Sequence, residues 1–266
     1  MKNKAYYHIY MPDDLSWTYI FIDQMREMLE SGVMEKLDEL TIISIGDEES
    51  TKHLFGLLNY YNYLTKVKIK VNYFDKKNTD KELINIDGAD KHKFITETQT
   101  LQTIWEDAKN SDEWYNILYF HTKGVTAIER VLKVGDYGRF VNYLHWRKHC
   151  EWSIFDKFEE SIELLKTHDA VGANFSAWPT PHFSGNMWWT NSKYISTLSN
   201  PNDVEWWKEY KKKNKEAFAW LPDRLVGEMW IGSGDNAKLF SYYNHPRPPP
   251  QSNLGQEIIL RKEYYK

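Results

Sequence analysis

Up to about residue 124 the chain alternates between two hydrophobic periods, and this alternation limits what it can fold into more than any other feature. Ala5–Met11 is a short apolar and aromatic run closed by Pro12 and Asp13. Residues 17–30 then place Trp17, Ile20, Phe21, Met25, Met28 and Leu29 near helical spacing, stopped by Ser31-Gly32. Leu40–Ile45 reads as a second strand ending at Gly46-Asp47, and a helix follows from about Ser50 to Leu64. Val67–Phe74 alternates as a third strand, residues 75–93 are polar enough for a loop, and Phe94–Ala108 is helical. Ile117–Phe120 is apolar throughout, as a central parallel strand covered on both faces must be. Strands alternating with helices imply right-handed crossovers, so the expected class is α/β, with an open and mostly parallel sheet flanked by helices.

Such sheets bind ligands beyond the carboxyl ends of their strands. Four polar segments occupy those ends: Pro12-Asp13-Asp14, Gly46-Asp47-Glu48-Glu49-Ser50, Asp75-Lys76-Lys77 and His121-Thr122-Lys123-Gly124. The last is the richest in groups that bind phosphate. The second half is less regular. Two helices fill Asp136–His168, and a strand at Ala170–Asn174 leads through Pro179 and Pro181 to His182-Phe183-Ser184-Gly185-Asn186-Met187-Trp188-Trp189-Thr190. A helix then carries Gly227-Glu228-Met229-Trp230, a last strand lies near Lys238–Tyr243, and Pro246 and Pro248–Pro250 force an extended tail. The expected organisation is one domain over 1–266, in two parts (1–124 and 125–245) with a Pro-rich C-terminal extension (246–266).

Charge and composition exclude some partners. The net charge is −4 and the basic residues are dispersed, which argues against nucleic acid, a ligand that demands a concentrated basic field. Lys211-Lys212-Lys213 with Lys215, beside Trp206, Trp207 and Trp220, admits a peripheral membrane contact, but a solvated helix face is the simpler reading. No run approaches a membrane span. With one cysteine, Cys150, an intrachain disulfide is impossible, which fits a reducing compartment and a cytoplasmic location. Aromatic residues reach 16%, an excess suited to stacking on sugar C–H faces and equally to a large core.

Walker A and G-x-S-x-G patterns are lacking. Gly232-Ser233-Gly234 reads as a helix stop, since it follows a helix and no first strand precedes it. His145 and His149 with Cys150 and Glu151 have no partner pair at zinc-ligand spacing, so they read as surface histidines.

Three segments resemble those of GT-A glycosyltransferases of bacteria and large DNA viruses: Tyr119–Gly124, His182–Trp189 and Gly227–Ile231. The resemblance spans nearly the whole chain and would make residues 1–124 the nucleotide-binding half and 125–245 the donor-sugar and acceptor half. It implies a GT-A, Rossmann-like fold and a hexosyl- or deoxyhexosyltransferase of polysaccharide biosynthesis, using a UDP- or GDP-sugar and a glycan or glycoconjugate acceptor. By position, Tyr10 and Asp47 would meet the nucleoside, although Asp47 reads equally well as a turn and helix N-cap. His121, Thr122, Lys123 and Gly124 occupy the place of the Asp-x-Asp motif that holds the divalent metal, and no Asp-x-Asp exists in this chain. Two readings stay open. In one, Lys123 as a point charge and His121 as donor or acid neutralise the diphosphate without metal. In the other, Mn2+ or Mg2+ is held by His121 and His245 with Asp87 or Asp90. The resemblance further puts His182, Ser184, Gly185 and Asn186 on the donor sugar or acceptor, with one of Trp188 and Trp189 facing sugar and the other in the core. Glu228, with Asp223 in reserve, is the expected base of an inverting displacement, and a helix-start stabiliser is the competing role. A glycan-binding module without catalysis and a metal-dependent hydrolase are the competing functions.

Overall fold

A computed structural model describes residues 1–75, 95–135, 137–214 and 226–243. The strands, in chain order, are β1 (Lys2–Tyr10), β2 (Glu39–Gly46), β3 (Lys68–Asp75), β4 (Tyr115–His121), β5 (Ala170–Gly172), β6 (Phe175–Ser176), β7 (His182–Phe183), β8 (Trp188–Asn191) and β9 (Leu239–Ser241). The described helices are α1 (Ser16–Glu30), α2 (Val33–Lys36), α3 (Glu48–Leu64), α4 (Ile95–Lys109), α5 (Val125–Val134), α6 (Tyr137–Ile154), α7 (Phe158–Leu164), α8 (Ser192–Ile195), α9 (Val204–Lys213) and α10 (Val226–Trp230).

The fold class is α/β. Seven strands form one sheet in the order β3-β2-β1-β4-β8-β5-β9, while β6 and β7 pair separately. The β3-β2-β1-β4 half is wholly parallel; β8 runs antiparallel to both β4 and β5, and β9 is parallel to β5. The expected open, mostly parallel sheet is therefore observed, with its mixed part in the C-terminal half.

The period of two along each strand sorts side chains between two cores. Tyr7, Ile9, Phe120 and Trp189 pack with α1 and α6 residues such as Phe21, Met25 and Ile154. Tyr6, Ile117, Tyr119 and Trp188 pack on the other face with Leu101 and Ile104 of α4, Ile195 of α8 and Trp230 of α10. Both faces of β4 are covered, which is why its sequence is apolar without alternation. The edge strand β3 alternates between exposed and partly buried residues, and its Lys70 pairs with Glu39 of β2 at 2.7 Å.

Several sequence expectations are corrected. Residues 125–134, for which no helix was anticipated, form α5, started by Gly124 in the left-handed region (φ 92°). His149 is buried, stacked on Trp152 and edge-on to Tyr243, so it is not a surface histidine. Trp207 is buried with its indole N–H on the Pro201 carbonyl (2.8 Å), and Trp206 stacks against it, so these rings serve the core. Lys211, Lys212 and Lys213 occupy the last turn of α9, where cations complement the helix dipole. Among the described residues no helix is long and apolar enough to cross a membrane. Gly232-Ser233-Gly234 directly follows α10, as a helix stop should.

Candidate functional site

The parallel register brings the ends of β1, β2 and β4 together. Tyr10 pairs with Ile45, and His8 pairs with His121. Thr122 fastens this end: its N–H donates to the His8 carbonyl at 3.1 Å, and its hydroxyl oxygen accepts the Tyr10 N–H at 3.2 Å. Asp47 is the N-cap of α3, accepting the Ser50 N–H at 2.7 Å, which satisfies an otherwise orphaned helix donor.

His121 closes β4. Its Nε2 lies 2.9 Å from the Gly185 carbonyl, and a carbonyl only accepts, so Nε2 carries the hydrogen. Burial, aided by the charge of Lys123, lowers its pKa to about 4, so at neutral pH the ring is uncharged. His121 therefore brings no positive charge to a diphosphate, and its N–H already has a partner. Its Nδ1 lies 3.7 Å from Glu97 Oε1.

Glu97 was not singled out by the sequence, yet it organises this side of the site. It sits in the first turn of α4, where the helix dipole favours a carboxylate. Its Oε1 accepts the Tyr119 hydroxyl at 2.8 Å and the Asn186 amide N–H at 2.7 Å. Both donors are fully buried. Burial, together with the neighbouring Glu97 carboxylate, raises the Tyr119 pKa well above the ordinary value, so this hydroxyl keeps its proton and donates. The Asn186 amide is oriented from behind by the Trp188 indole N–H, which donates to its Oδ1 at 2.8 Å. Asn186 holds φ 47°, a conformation tolerated by Asn because its short side chain bonds locally. A Glu in a first helical turn reads as a helix stabiliser, so only the fold reveals these partners.

Glu228 approaches from α10. An ideal Cβ on the preceding Gly227 would lie 3.2 Å from Glu97 Oε2, so the bare backbone is what lets α10 come this close. The negative charge of Glu228 acts on both Tyr119 and His121, which places it in the same neighbourhood.

Lys123 also adjoins Gly185. Its ammonium sits 4.0 Å from the centroid of Trp146, and the Trp146 indole donates to the Ser184 carbonyl at 3.2 Å. An ideal Cβ on Gly185 would meet Cys150 Sγ at 2.8 Å, Trp146 Nε1 at 3.1 Å and Lys123 Cε at 3.5 Å, and the residue holds φ 108°. Only glycine fits this conformation and this space. Among the described residues, Lys123 has no carboxylate partner. No side chain caps α5, which starts at the next residue but one, and its Val125 and Ala127 N–H groups donate instead to the Thr122 and Gly124 carbonyls at 3.3 and 2.9 Å. A cavity of about 320 Å³ extends from Lys123 and Gly124 between α1, α5 and α6, lined by Tyr19, Phe140, Tyr143 and Arg147 among others. Asp23 and Arg26 also line it.

The remaining expected residues fall as follows. His182 is buried, with Nδ1 donating to the Thr180 carbonyl at 2.8 Å and Nε2 facing the Ser184 hydroxyl at 3.3 Å. Trp188 and Trp189 point to opposite faces as anticipated, but both are fully buried, so the expectation that one faces sugar is corrected. Both sheet faces are covered at β8, and each indole N–H has an internal acceptor, Asn186 for Trp188 and the Ile154 carbonyl for Trp189. Cys150 is buried and its pKa is pushed up to about 12, so it stays an inert thiol. Asp87, Asp90, Asp223 and His245 lie outside the described residues. Among the described residues, no group of three or more His, Cys, Asp or Glu side chains could hold a metal ion.

The chain belongs to the family described as "Domain of unknown function (DUF8361)", whose model matches residues 6–238. No curated protein matches it in sequence. Among solved structures it is similar to mouse xyloside xylosyltransferase 1 in its apo form, at 13% identity and a TM-score of 0.43 over 90% of this chain and 84% of that one. It is also similar to 4-diphosphocytidyl-2C-methyl-D-erythritol synthase from Anaerococcus prevotii DSM 20548, at 12% identity and a TM-score of 0.36 over 99% of this chain and 98% of that one. Likeness of this degree has no bearing on the chemistry of this chain.

Proposed function

We propose that this member of the DUF8361 family is a glycosyltransferase that moves a sugar from a UDP- or GDP-sugar to a glycan or glycoconjugate acceptor. One observation carries the reading. Lys123, a cation without a carboxylate partner among the described residues, and the carboxylates of Glu97 and Glu228 gather around His121 and Gly185 at the end of β4. A nucleotide sugar has the matching asymmetry: an anionic diphosphate joined to a neutral polyol. The segments resembling GT-A glycosyltransferases support the same reading independently.

In the reaction, the acceptor oxygen attacks the anomeric carbon of the donor sugar. Glu228 takes the acceptor hydroxyl proton, the new C–O bond forms, and the bond to the diphosphate breaks with its electron pair leaving on the phosphate oxygen. Lys123 stabilises the negative charge that develops there. The Lys123 ammonium rests on the face of Trp146, which holds the cation in place for a phosphate. Tyr10 and Asp47 border the nucleoside, and Ser184 borders the sugar. Neutral His121 holds Gly185 in place, so it shapes the passage between the two flanks.

The test is a screen of the purified protein against UDP, GDP and their sugars, with and without Mn2+, reading melting temperature and product formation. Ligands that bind only the folded state raise its melting point by mass action. Nucleotide-dependent stabilisation and release of UDP or GDP in the presence of a glycan acceptor are expected. Saturable binding of glycans with no response to any nucleotide would make the protein a glycan-binding module instead.

A further inference from the structure

Glu97 is a carboxylate only 21% exposed that lacks a cationic partner among the described residues. The basic group nearest to it, His121, is neutral at pH 7 because it is buried. Taking a carboxylate this far from water without a counter-charge is costly, so its oxygens must be compensated by hydrogen-bond donors. For Oε1 the compensation is built in and rigid, from Tyr119 and from an Asn186 amide that Trp188 holds in one orientation. Oε2 has no such donor and faces the bare backbone of Gly227, next to Glu228. One oxygen is thus fixed, and the other is left without a donor beside Gly227.

We infer that Glu97 Oε2 is the group that reads the transferred sugar, accepting hydroxyl hydrogens of the donor's hexose. This rests on the glycosyltransferase reading and deepens it. A neutral polyol supplies the donors that the carboxylate needs without adding charge. A hydroxyl donating to a charged acceptor also discriminates strongly between epimers, because the wrong one leaves the carboxylate unpaired. A divalent cation is the other chemistry that a bare carboxylate oxygen attracts, but the described residues around Glu97 do not form a ligand set for one.

The experiment compares wild-type protein with Glu97→Gln by calorimetric titration of UDP, GDP, their hexose derivatives differing in configuration at single carbons, and Mn2+ alone. Glutamine keeps the acceptor that Tyr119 and Asn186 need and replaces Oε2 with a donor. The expected result is unchanged affinity for the bare diphosphate and a loss of about 10- to 100-fold for the preferred nucleotide sugar, with weakened preference between epimers. Equal effects on diphosphate and nucleotide sugar, or none on either, would overturn the inference and leave the glycosyltransferase reading standing. Loss of stoichiometric Mn2+ binding with intact epimer preference would reassign Glu97 as a cation ligand. A wild-type protein that binds no nucleotide removes both readings. Should Glu97→Gln fail to fold, Gly227→Ala presses a methyl onto Oε2 while keeping the carboxylate, and the same selective loss is expected; unaltered epimer preference there would again refute it.

Discussion

The two flanks of Gly185 are built on opposite principles. On the Glu97 flank the donors are held in a network: Tyr119 and Asn186 donate to Glu97 Oε1, Trp188 donates to Asn186, and His8 bonds Thr100 at 2.8 Å. On the Lys123 flank a cation rests on an aromatic ring beside an uncapped helix start, with a cavity next to it. A hydrogen-bonded network has one geometry, which suits recognition of a fixed stereochemistry. A point charge over a ring tolerates displacement, which suits a diphosphate that must first be held and then released.

Experiments that separate the flanks would break or sharpen this contrast. The largest effect is expected from Glu228→Gln, which removes the proposed base: turnover should fall about 10²- to 10⁴-fold while diphosphate affinity, measured by calorimetry, stays near that of the wild type. Parallel loss of nucleotide binding would show that Glu228 does not belong to the sugar flank alone. Gly185→Ala should damage both flanks together, because the new methyl meets Cys150 Sγ at 2.8 Å and the backbone holds a positive φ. A destabilisation of about 3 kcal/mol in urea unfolding is expected. Lys123→Ala should weaken UDP or GDP binding about 10- to 100-fold without altering preference among sugar epimers, and Lys123→Arg should recover only part of it.

A smaller effect comes from pH. Burial holds the folded pKa of His8 at about 3 and that of His121 at about 4, both below the ordinary value of 6.5. As pH falls below 6.5 the unfolded chain takes up protons that the folded chain refuses, so stability is lost as the solution is acidified from there to about pH 4 and is unaffected by these groups at higher pH. Each histidine contributes a slope of about 1.4 kcal/mol per pH unit. His8→Gln should remove one such slope from the urea midpoints measured between pH 6.5 and 5. The smallest change is Asp47→Ala: losing the α3 cap should cost about 1 kcal/mol. A simultaneous loss of nucleotide affinity would add nucleoside contact to the capping role.

Most of the architecture was legible in the residues because hydrophobic period is a local property. Every strand of the parallel half and helices α1, α3 and α4 lie within a few residues of their expected bounds. The polar segments that end β1, β2 and β4 identified the rim on which the site stands. Helix α5 escaped notice because it starts at a left-handed glycine with no capping side chain to announce it. The roles of individual side chains depend on neighbours far along the chain. Glu97 receives its donors from positions 119 and 186, and no spacing rule links the three. Trp188 and Trp189 could be placed on opposite faces from their order alone, but that both faces are covered there depends on α4, α6, α8 and α10 converging from distant segments. His121 and Lys123 read alike as cations in a short polar run, and only burial separated them, leaving one neutral and the other resting on Trp146. Secondary structure and the location of the rim are set by neighbours in sequence; charge state, hydrogen-bond partners and access to a ligand are set by desolvation and packing, which exist only once the chain has closed on itself.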